Sequence, residues 1–224
     1  GAFDIVRFAE RAVVLVWGPA SFWTRRSDLL DMVAELRKAK ELPTGYITLP
    51  PRWQQEFAND LLQRITLPPA TAPAVCVLDT GVQQGHPLIS IALAEADVLS
   101  VNVAWGTTDH AGHGTEMAGL SLYGCLTQVL TSNGPLVLTH RLESVTLLPP
   151  GGGNDPQNYG ALTQQAAYRA EIQNPRRGRA FCLAITADGR DAGLPTLWSA
   201  ALDQLTAGEL DDIRRLVVAS AGNC

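Results

Sequence analysis

The chain has 224 residues, 46% of them hydrophobic and 17% charged, with a formal net charge of −5. That composition excludes a disordered chain and suits one large α/β domain, or a domain with a small appendage. The acidic balance excludes a phosphate-neutralising nucleic-acid surface, and the longest apolar stretch, residues 12–17, is strand-sized rather than membrane-spanning.

The first 67 residues read as a small α+β segment. It opens with a β-rich run over 12–17, closed by Gly18-Pro19, and continues with helices expected over 27–40 and 53–65. Three prolines within residues 67–73 mark a linker over 68–73. From residue 74 to 224, strands alternate with helices. Strands are expected over 74–78, 98–103, 136–148 (one long or broken element), 180–186 and 215–219. Helices are expected over 113–123, 159–172 and 195–205, the last with Pro195 in its first turn. The order implies a doubly wound, mainly parallel sheet with helices on both faces, in which ligands bind beyond the carboxyl ends of the strands. Arg25-Arg26 and Arg176-Arg177 read as solvated loops.

The four cysteines lack the spacing of a zinc site or a disulfide scaffold. Cys76 and Cys182 fall in apolar runs that suit buried free thiols. With no signal peptide visible, this leans toward a reducing, cytoplasmic setting.

Three short stretches carry chemistry. Asp79-Thr80-Gly81 ends a buried strand, so its carboxylate sits at the rim of the sheet. Alone it reads equally as an ordinary strand-ending turn or as a functional carboxylate; an aspartic-protease reading would require a homodimer, since only one such aspartate is present. His113 stands between Gly112 and Gly114 at a helix start, where the missing side chains let the backbone approach another element. Taking Asp109, His110, His113 and Glu116 as metal ligands matches no known spacing, so no metal is expected. Finally, the strand at 215–219 runs through Ala221-Gly222 into Asn223, at the same rim as Asp79.

Together these stretches resemble the subtilase family of serine proteases, over about residues 74–223. That family has an Asp-Thr-Gly strand end, a His-Gly-Thr-x-x-Ala-Gly helix and an Ala-Gly-Asn strand end, in this order. The resemblance implies peptide-bond hydrolysis with a polypeptide substrate. His113 would serve as general base, Asp79 as the residue that orients it, and Asn223 as an oxyanion donor. Ile185, Thr186 and Ala187 would pair with an extended substrate. In place of the family's Ser-Leu-Gly the chain has Thr186-Ala187-Asp188, which puts the specificity pocket in doubt. The family's serine, in a Gly-Thr-Ser turn downstream of the asparagine, is not reached. Ser121, Ser199 and Ser220 have the wrong surroundings, and Cys224 has nothing to hold its geometry. The expectation is therefore a truncated catalytic domain, with the missing C-terminal part as a partner, or else a pseudoprotease that serves as a binding module. Residues 1–67 would be propeptide-like or accessory. The resemblance admits calcium, but no acidic loop has a calcium pattern, so no cofactor is expected. Neither nucleic acid nor membrane is expected as a partner.

Overall fold

The structure, a computed structural model, describes residues 5–14, 16, 18–19, 21, 33–35, 37, 43–187 and 194–221. The helix expected over 27–40 lies largely outside them, and residues 33–35 and 37 within it are not helical. Asp188, Asn223 and Cys224 also lie outside the described residues.

Contacts divide the chain into two units, Gly1–Thr44 and Gly45–Cys224. The first contains an antiparallel hairpin, β1 (Ile5–Arg7) and β2 (Ala12–Val14), with Ile5 opposite Val14. Its turn is closed by the Phe8 N–H donating to the Arg11 carbonyl at 2.7 Å.

In the second unit the elements follow as α1 (Pro51–Arg64), β3 (Ile65–Thr66), β4 (Ala74–Asp79), α2 (Pro87–Ser90) and β5 (Leu93–Ser100). After these come α3 (His113–Tyr123), α4 (Leu126–Thr131), β6 (Leu136–Val137), β7 (Arg141–Thr146) and α5 (Tyr159–Gln173). The last three are β8 (Arg179–Leu183), α6 (Leu197–Ala207) and β9 (Leu216–Ala219). Five strands form one parallel sheet in the order β5-β7-β4-β8-β9. The chain leaves β7 on one side of β4 and returns as β8 on the other. The carboxyl end of β4, where Asp79 sits, is therefore at the point where the winding reverses.

Alternation along the strands supplies both cores. Val77 and Leu142 point toward α1 and α3, packing with Leu61, Ala118, Leu122 and Tyr123. Cys76, Leu78, Val145 and Leu147 point the other way, toward α5 and α6, meeting Ala166, Ala167, Ala170 and Leu205. The sheet is thus covered on both faces, as the β-α-β order implies. Over β8 and β9, however, Leu216 and Val218 stay more than half exposed.

Several boundaries differ from expectation, each for a local reason. The strand expected over 98–103 ends at Ser100. The Asn102 side chain accepts the Ala104 N–H and starts a 3-10 turn at Val103–Trp105 instead. The run 136–148 is broken because its two parts serve different partners: β6 pairs with β3, while β7 pairs with β4. Pro195 precedes α6 rather than entering it, since a capping box between Thr196 and Ser199 sets the helix start. Within residues 68–73, expected as a linker, the Pro68 carbonyl accepts from Arg141 at 2.8 Å and the Ala70 carbonyl from Arg177 at 3.2 Å, beside the amino ends of inner strands.

Arg177 does not belong to a solvated loop. Its guanidinium pairs with Asp97 at 2.7 Å and with Glu143 at 3.0 Å, and Arg179 binds Glu143 at 2.8 Å. Asn174 donates to the carboxylates of Asp97 and Glu143 as well. Burying Glu143 without these partners would be prohibitive. Cys76 and Cys182 lie in β4 and β8 as free thiols, and burial pushes the Cys76 thiol well up. Among the described residues no helix is long and apolar enough to cross a membrane.

Candidate functional site

The site is built where α3 meets the end of β4. Asp79 is the last residue of β4 and is 1% exposed. Its Oδ1 accepts the Thr80 N–H at 2.7 Å, and its backbone carbonyl accepts the Leu147 N–H at 2.7 Å, fixing the strand end against β7. Oδ2 lies 2.8 Å from Nδ1 of His113, the first residue of α3. An ionised carboxylate can only accept, so Nδ1 carries the proton, and in the neutral ring Nε2 holds the lone pair. The His113 side chain is 47% exposed, so the ring is half open to solvent while Asp79 stays dry.

Two glycines make this approach feasible. Gly81 has φ +107°, and a Cβ there would lie 2.8 Å from the Thr107 carbonyl oxygen. At Gly114 a Cβ would lie 2.0 Å from the Gly81 carbonyl oxygen and 3.1 Å from the Asp79 Cβ. The start of α3 is therefore seated directly on the Asp79-Thr80-Gly81 turn.

Sequence reasoning weighed Asp109 only as a metal ligand. In the structure its carboxylate lies between the turn and the helix, accepting from Thr80 Oγ1 at 2.8 Å, Thr115 N at 2.8 Å and Thr115 Oγ1 at 2.6 Å. The N–H groups of Ala111 and Gly112 also donate to it, at 3.0 and 2.8 Å. Partial burial works against its charge, but the hydrogen bonds from Thr115, Thr80 and Ala111 outweigh this and hold it down at about 2. The available signal was an acidic residue a few positions ahead of a helix start. Asp109, His110, His113 and Glu116 do not converge, and no group of three metal-ligating side chains exists among the described residues. His110 instead places Nε2 3.2 Å from the Leu148 carbonyl.

Ile185, Thr186 and Ala187 follow the end of β8, past its last ladder pair with β4 at Val77 and Cys182. Ile185 is half-buried, while Thr186 and Ala187 are exposed. The structure brings Asp79 and His113 together and sets 185–187 beyond the carboxyl end of the adjoining strand. The hydroxyls of Ser121, Ser199 and Ser220 are spent on the carbonyls of Ala118, Thr196 and Ile185. Among the described residues none is bonded to His113. Asp79, dry and committed to Thr80 and His113, offers no face to a second aspartate, so the dimeric aspartic-protease reading fails on geometry.

Chemically, the pair can take a proton at Nε2 of His113 while Asp79 holds the ring in one tautomer and stabilises the resulting cation. The family model for the Subtilase family matches residues 70–224, more than half of the chain. No curated protein matches the chain.

Proposed function

The chain belongs to the subtilase family, and from that serine-protease type of function we propose that it acts in peptide-bond hydrolysis through Asp79 and His113. His113 takes the proton of a serine hydroxyl at Nε2 and returns it to the leaving amine. Asp79 fixes the Nδ1–H tautomer and stabilises the imidazolium. Asn223 donates its side-chain N–H to the developing oxyanion, and Ile185, Thr186 and Ala187 pair with an extended polypeptide substrate. The observation that carries this reading is the 2.8 Å contact between a buried Asp79 and a half-exposed His113.

The test is to treat the full-length gene product with a serine-directed fluorophosphonate and locate the label by mass spectrometry. Label on one serine following Asn223, lost in His113→Ala, is the expected result. No label on any serine would overturn the reading and leave a family member that keeps the fold without the nucleophile.

The segment up to residue 67 is proposed to stay with the working protein as an accessory rather than a removed leader. For residues 45–67 this is supported by Leu61, which is fully buried in one core cluster with Val77 and Leu142. Mature protein whose N-terminus lies near Ala74 would refute it.

A further inference from the structure

Asp109 moves no proton in the reading above, yet it accepts more hydrogen bonds than either member of the Asp79–His113 pair. Oδ1 takes the Thr80 hydroxyl and the N–H groups of Ala111 and Gly112, while Oδ2 takes both the N–H and the hydroxyl of Thr115. Thr80 follows Asp79 directly, and Thr115 lies in the first turn of the helix that begins with His113. One carboxylate therefore grips both partners of the pair from behind. We propose that Asp109 is a positioning residue that sets the Asp79–His113 hydrogen bond by tying the strand-end turn and the helix start to one ionised group. Only its catalytic consequence rests on the protease reading; the geometric claim does not.

Three considerations support the assignment. The first is chemical. A carboxylate presents two acceptor oxygens, whereas asparagine presents one oxygen and an N–H₂ group. Three of the five donors are backbone N–H groups, which cannot turn away, and they are divided between the two oxygens. Either orientation of an asparagine would set its N–H₂ against at least one of them. The second is steric. Gly114 already sits against the Gly81 carbonyl, so α3 has no room to move closer and can only lift away. The third is connectivity. Thr115 Oγ1 in turn accepts the Gln83 N–H at 2.9 Å, extending the grip to the chain that leaves the Asp79 turn.

The test uses this chain, labelled with ¹⁵N, and reads the His113 ring nitrogens by NMR above the imidazole titration. The wild-type chain is expected to show the Nδ1–H tautomer and a low-field Nδ1 proton protected from exchange. Asp109→Asn should lose that proton and mix in the Nε2–H tautomer while the amides of the sheet keep their dispersion. Thr115→Val should shift the tautomer the same way, and Thr115→Ser, which retains the hydroxyl, should restore the wild-type pattern. A folded Asp109→Asn chain with an unchanged tautomer and low-field proton would overturn the proposal. If that variant does not fold, identical His113 spectra for the Val and Ser variants would do so instead. In the full-length gene product Asp109→Asn should slow fluorophosphonate labelling roughly 10²-fold. Absence of labelling in the wild-type product would count against the protease reading and leave the NMR result standing.

Discussion

Asp79 and Glu143 are equally withdrawn from water, each 1% exposed, on neighbouring strands of one sheet. They point to opposite faces. Glu143 lies on the side covered by α5, beside Cys76, and binds Arg177 and Arg179, both nearly buried themselves. Asp79 lies at the strand end on the other face and binds an imidazole that is 47% exposed. A buried charge alone is therefore no mark of a reactive site. What separates the two is the exposure of the partner: a carboxylate held by largely buried guanidinium groups holds the structure together, while a half-open pair can trade a proton with something outside.

His113→Ala gives the sharpest test of that contrast. It should reduce fluorophosphonate labelling of the full-length product about 10⁴-fold or more, and cost only about 1–3 kcal/mol of unfolding free energy, because Asp79 stays buried with Oδ2 unpartnered. Glu143→Gln should do the reverse. Leaving Arg177 and Arg179 without their shared counter-charge should cost about 3–5 kcal/mol in denaturant unfolding, with labelling of the folded fraction unchanged. The comparison breaks if these two outcomes trade places.

Next in size is Gly114→Ala, whose Cβ would lie 2.0 Å from the Gly81 carbonyl oxygen. Overpacking of this kind should cost about 1–3 kcal/mol and slow labelling as well. Gly119→Ala, in the same helix but with nothing within 4 Å of the added carbon, should be neutral or slightly stabilising in thermal melts. Acid tests the Asp109 cluster in the same terms. Asp109 at about 2 lies below its ordinary 3.8, so the unfolded chain takes up this proton first. The stability contributed by the ionised group is present above about pH 4 and fades as pH falls through about 2. Unfolding free energy measured across that range should decline less steeply in Asp109→Asn.

Much of the site was legible in the sequence because its parts are contiguous. Asp79-Thr80-Gly81 and the run from Gly112 to Thr115 each keep strand end, turn and helix start within a few residues. The pattern of buried strands likewise implied the parallel sheet, since a strand covered on both faces reads as an apolar run. What sequence could not supply was partnership at a distance. Glu143 looks like any polar residue in a strand until Arg177 and Arg179 fold back on it across more than thirty positions. Arg176-Arg177 accordingly read as solvated. The break between β6 and β7 has the same origin: periodicity reports which residues are apolar, not which strand each half will meet. The hydrogen-bonding of Asp109 was not legible because its donors include Thr80, 29 positions back, as well as the helix start ahead of it.

The seat of Gly114 on the Gly81 carbonyl has a consequence for the order in which the molecule assembles. Asp79 and His113 are 34 residues apart in the chain, and the segment between them contains β5 and the connection to α3. The two cannot meet until that loop has closed and the helix has settled onto the turn. A nascent or partly folded chain therefore holds a histidine and an aspartate but no coupled pair. The coupled pair is thus a property of the folded unit rather than of the chain, present only once the strand-end turn and the helix start have met.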